Sequence, residues 1–148
     1  MELTLILIAL LLSAFFSGSE IAFVAANRLK VEVFARRGGM VGRLVSRFLE
    51  EPDTLLTTTL VGNNLALVVY STLVALYLES PLNTFFGNVL GLDASGVGIL
   101  TLTTQTILAS LVVLIIGEVI PKSVMREIAN RAVFALAIPL RITYVVLF

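Results

Sequence analysis

Of the chain's 148 residues, 58% are hydrophobic and 14% charged, with a mean hydropathy of +1.04; soluble domains hold about 45–50% apolar and about 25% charged residues, so the composition places this chain in a bilayer. Cysteine and histidine are both absent, which excludes disulfides, thiolate metal sites and imidazole chemistry and leaves any metal to oxygen ligands. Ten Lys and Arg balance ten Asp and Glu, and no long basic run of the kind that binds nucleic acid is present.

All ten cations fall in two blocks, Arg28 to Arg47 and Lys122 to Arg141. The first predicted element is a membrane span over residues 3–26. It lacks a basic leader and ends in Arg28 and Lys30 instead of a cleavage site, so it reads as a retained helix and not as a signal peptide. Residues 28–50 alternate apolar side chains with six cations around Gly38 and Gly39, the pattern of short amphipathic helices at a membrane surface. A second span covers residues 54–78. The segment 79–96, "ESPLNTFFGNVLGLDASG", has no cation and is rich in Pro, Gly and Asn, and reads as an external loop. A third span covers residues 97–118. Each is close to the about 20 residues that cross a hydrocarbon core. The positive-inside rule then places both basic blocks in the cytoplasm, giving three spans with the N-terminus outside and the C-terminus inside. The tail, 122–148, is interrupted by Arg131, Pro139 and Arg141 and reads as a juxtamembrane helix lying at the interface, kinked by Pro139, in preference to a fourth span. Ending on "YVVLF" suggests a fragment whose chain continues into the cytoplasm.

Polar groups at membrane depth are costly and mark sites or partners. Three clusters qualify: Ser17, Gly18, Ser19 and Glu20; Gly62, Asn63 and Asn64; and Gly117 with Glu118, followed by Pro121. Counted inward from the basic ends at about 1.5 Å per residue, all three occupy one inner-leaflet layer. Gly18 weakens its helix and favours local unwinding there. Pro121 cannot donate to the carbonyl of Gly117, which frees an oxygen beside the Glu118 carboxylate. Hydroxyl, amide, carbonyl and carboxylate oxygens together suit Mg²⁺, Ca²⁺ or Na⁺, without choosing among them. Plainer explanations exist for each group. Asn between helices serves as hydrogen-bonding glue, Ser bonds back to its own helix, and Glu118 pairs with Lys122 at i+4. The threonines of the second and third spans are expected to bond back to their own helices, with no further role. Small residues at Ala9, Ser13 and Ser17, and at Gly62 and Ala66, mark close helix contacts within a protomer or across a homodimer.

The segments "SGSEIAFVAANRLKVE", "LVGNNLALVVYSTLVAL" and "GEVIPKSV" together resemble the transmembrane domain of the cyclin-M and CorC family of magnesium transporters. The resemblance implies an all-α homodimer of three-span protomers in the plasma or bacterial inner membrane, exporting Mg²⁺ with Na⁺ as coupling ion. It implies a cation site at Ser17 and Ser19 of a broken first helix, at Asn63 or Asn64, at the Gly117 carbonyl and at Glu118, with Glu20 nearby, either ligating the ion or setting the potential around it. Relatives continue into a cytoplasmic CBS-pair domain, absent here, so nucleotide regulation is not expected of these residues. The rival reading is a membrane anchor and dimerisation module for such a cytoplasmic sensor, moving no ion. An enzyme is not expected, because no nucleophile stands beside an activating base.

Overall fold

The computed structural model describes residues 1–148, all helical apart from short connections. Helix α1 runs over Glu2–Ala25, α2 over Arg28–Ala35, α3 over Gly39–Glu50 and α4 over Pro52–Leu90. Helix α5 covers Ala94–Val112, and a π-helical segment, Val113–Val119, joins it to α6 at Ile120–Glu127; α7 covers Ala129–Leu147. Local chemistry sets most of these boundaries. The Asn27 side chain caps α2 by accepting from the Lys30 N–H (3.1 Å), Pro52 opens α4, and the Asp93 carboxylate caps α5 by accepting from the Gly96 N–H (3.2 Å). Gly39 at φ +58° turns α2 into α3, and Gly91 at φ +59° is the left-handed stop after α4.

Helix α4 packs antiparallel to α1, with Gly62 against Phe16 and Tyr70 and Val74 against Ile6, Ala9 and Leu10. The α5–π–α6 rod runs parallel to α1, with Gly117 beside Ser13 and Pro121 beside Gly18. At the basic end of the bundle, α2 and α3 fold under α1. There Ala22 and Phe23, Val31, Val45 and Phe48 form one core with α7, and the Arg28 guanidinium closes the pair of short helices on the Leu49 carbonyl (2.6 Å). Large apolar side chains such as Leu11, Val68 and Ile99 remain on the outer surface, which lipid accommodates and water would not.

Three expectations change. First, α1 is one uninterrupted helix through Ser17–Glu20. Gly18 does not break it, because α6 lies against that position and the backbone bonds have no water to replace them. Second, the segment read as an external loop is helical through Leu90, and only Gly91 to Asp93 are left as the turn. Pro81 is accommodated inside α4, and Asn83 anchors the extension to α5 by accepting from the Thr101 hydroxyl (2.7 Å). Third, α7 is continuous through Pro139 and packs lengthwise along the bundle. It starts where the Asn27 N–H donates to Asn130 Oδ1 (2.7 Å) and returns along α1 and α4; its last turn shares a groove with Leu5 to Phe16 and Gly62 to Leu73. Its Ala132, Val133, Leu136, Ala137 and Leu140 are buried against the bundle, a continuous helical face that outweighs the one bond Pro139 removes. Four helices are thus long and apolar enough to cross a membrane.

Candidate cation site

Three elements meet at Ser13, a fully buried residue in the middle of α1. Its hydroxyl donates to Asn63 Oδ1 on α4 at 2.8 Å. From the other side the π segment brings Gly117 so close that a Cβ there would stand 3.2 Å from Ser13 Oγ. Gly62 allows the α1–α4 approach, since a Cβ at that position would reach 2.5 Å from the Phe16 ring. One turn along the same face of α1 lies Ser17, 2% exposed, whose Oγ has no hydrogen-bond partner. Buried hydroxyls are normally satisfied, most simply by the carbonyl four residues back. Ser19 does this with the Phe15 carbonyl at 2.6 Å; Ser17 does not.

The π segment follows from Pro121. With no N–H at that position, the helix widens by one residue, and the Ile120 N–H donates to the Ile115 carbonyl five residues back. Gly117 is buried and Glu118 half-buried at the end of this widened turn. Glu118 pairs with Lys122 (3.6 Å), the plainer role considered for it.

The other expected site residues divide. Asn63 faces α1, whereas Asn64 is exposed and makes no side-chain hydrogen bond. Glu20 is half-buried and joins no ion pair. No three Asp or Glu side chains cluster tightly enough to hold a metal ion by themselves, so the junction is a set of neutral oxygens with Glu118 as the carboxylate beside Gly117. That donor set fits a hard cation and not a soft one.

Sequence reasoning missed Ser13, which it counted only as a small contact residue. The available signal was its position four residues before Ser17. Measured from the true helix ends, Asn63 lies eleven residues into α4 and Ser13 twelve before the end of α1, so the shared layer sits one turn deeper in α1 than basic-residue counting places it. A second polar group was also missed: Asn83, Thr101 and Gln105 at the far end of α4 and α5. Thr101 departs from the expected back-bonding, which Thr58, Thr59, Thr103 and Thr106 all follow.

Helices of spanning length, lipid-compatible outer faces and polar side chains gathered between helices define a multi-pass membrane protein. Residues 4–148 match the family described as the cyclin M transmembrane N-terminal domain, and the chain belongs to that family. It is 35% identical over 113 residues to the UPF0053 inner membrane protein YfjD of Escherichia coli (strain K12), an overlap covering 76% of this chain and 23% of that protein. A UPF0053 protein of Haemophilus influenzae is 32% identical over 130 residues, covering 88% and 27%, and the UPF0053 protein YhdT of Bacillus subtilis (strain 168) is 28% identical over 147 residues, covering 99% and 32%. The chain therefore spans between about a quarter and a third of the length of these relatives.

Proposed function

We propose that this domain exports Mg²⁺ by alternating access, coupled to Na⁺ entry, as a homodimer in the inner or plasma membrane with its basic end in the cytoplasm. The observation that carries the proposal is the unpartnered, fully enclosed Ser17 hydroxyl one turn from the Ser13–Asn63–Gly117 junction. A group so placed costs about 1–3 kcal/mol of desolvation unless something binds it. Mg²⁺ is the substrate. Ser17, Asn63 and the Gly117 carbonyl supply neutral oxygens, Glu118 supplies charge by exchanging Lys122 for the ion, and Ser13 orients Asn63. Ser19 contributes through the lone pair left free by its bond to Phe15, Glu20 sets the potential around the ion, and Asn64 stands outside the set. The inner-membrane location agrees with the name of YfjD, and the greater length of the relatives agrees with a cytoplasmic CBS-pair domain as partner. No covalent chemistry is involved.

The test is Mg²⁺ efflux from dye-loaded proteoliposomes under an imposed Na⁺ gradient. Ser17→Ala and Glu118→Gln are each expected to slow efflux at least about tenfold, the equivalent of losing about 1.4 kcal/mol of interaction with the ion. Full efflux from both variants sinks the site assignment. A well-folded wild type with no flux and no Mg²⁺ binding leaves the anchor reading in its place.

A further inference from the structure

Some sixteen residues along α4 from Asn63, or about 24 Å at helical rise, a second set of hard oxygens lines a cavity of about 380 Å³ between α4 and α5. Glu79 and Asn83 stand one turn apart on α4, and Thr101 and Gln105 stand one turn apart on the facing side of α5. The Thr101 hydroxyl donates to Asn83 Oδ1 at 2.7 Å, which fixes the amide. Gln105 is only 7% exposed, and its Oε1 is buried with no hydrogen-bond partner. Glu79 forms no ion pair, and no Lys or Arg lies anywhere between residues 48 and 121 to neutralise it. Between this cavity and the Ser13 junction Ile6, Leu10, Val74 and Tyr70 pack together, and the Tyr70 hydroxyl donates to the Ala109 carbonyl at 3.2 Å.

We infer that Glu79, Asn83, Thr101 and Gln105 form a second cation site, built for a hard monovalent ion such as Na⁺. Its single carboxylate balances one positive charge, where the Mg²⁺ site proposed above has Glu20 as well as Glu118. Neutral amide and hydroxyl oxygens complete the shell, and Gln105 Oε1 gains the partner it lacks. That such a site takes part in coupled export rests on the function proposed above; its binding of a cation does not.

Binding is read as thermal stabilisation of the full chain in lipid nanodiscs, titrated with NaCl against N-methylglucamine chloride at constant chloride, and separately with MgCl₂. Na⁺ is expected to raise the melting temperature, with the half-maximal concentration at least tenfold higher in Glu79→Gln and in Gln105→Leu. The response to MgCl₂, which reports the Ser17 site, is expected to stay within twofold of wild type in both. Gln105→Glu, with a second carboxylate, is expected to turn the new site towards Mg²⁺, a change that a purely structural Gln105 would not produce. The melting temperature in N-methylglucamine alone verifies that each variant is folded, and Glu79→Gln, an exposed position, carries the test if Gln105→Leu is not. Absence of Na⁺ stabilisation in the wild type, or equal Na⁺ responses in wild type and Glu79→Gln, overturns the second site while leaving the Mg²⁺ reading untouched. Loss of the Mg²⁺ response in Glu79→Gln overturns the separation of the two sites.

Discussion

Asn63 and Asn64 are adjacent and chemically identical, yet one faces the α1–α4 seam and the other lies on the outer surface. The helical step of about 100° per residue decides this, and it makes the pair a natural control. Asn64→Ala is expected to leave efflux and melting temperature unchanged, while Asn63→Ala lowers both. In a Ser13→Ala, Asn63→Ala double-mutant cycle the coupling is expected to be about 0.6 kcal/mol, the usual worth of a hydrogen bond between membrane helices; a coupling near zero would show that the 2.8 Å bond holds nothing together. Gly62 is read by the same logic. A side chain there must displace the Phe16 ring, so Gly62→Val is expected to cost about 1–3 kcal/mol in a denaturation series, with α1 and α4 forced apart.

The π segment is a consequence of one proline acting on one element. Val113 to Val119 hold a widened turn because Pro121 offers no N–H, and that widening sets which way Gly117 and Glu118 point relative to Ser13. Pro121→Ala restores the missing donor and lets the segment relax to an ordinary α-helix, which rotates the residues before it. Efflux is expected to fall at least tenfold with the melting temperature unchanged or raised. Retained efflux would mean that the π geometry has no part in the site. The proline in α7 behaves otherwise: Pro139 sits in a helix whose buried face is fixed by α1 and α3, and no widened turn forms there.

At the scale of the whole molecule, α7 determines whether the chain crosses the membrane three times or four. The helix enters the bundle beside Asn27 and ends level with the N-terminal third of α1, where Val146 and Leu147 line one groove with Leu5, Ile8, Val69 and Leu73. The chain has no native cysteine, so single cysteines report cleanly. A hydrophilic maleimide is expected to label Asn130→Cys from the same side as Arg36→Cys, and to label Val146→Cys from neither side of the membrane. Labelling of Val146→Cys from the face opposite Asn130 would make α7 a complete fourth crossing.

Membrane class, the first three apolar spans, the basic end and the three polar motifs were legible in the sequence, because each rests on composition or short spacing, and a bilayer punishes exceptions to both. The family followed from those motifs and the match over residues 4–148 upholds it. The extent of α4 and the course of α7 were not legible: Pro81 and Pro139 are breakers in isolation, and only the contacts of Asn83 with Thr101 and of the alanine-rich α7 face with α1 and α3 outweigh them. Nor could the sequence choose Asn63 over Asn64 or place Ser13 beside Gly117. Those are facts of rotation and register between helices, fixed when Gly62, Gly18 and Gly117 let three backbones close on one point.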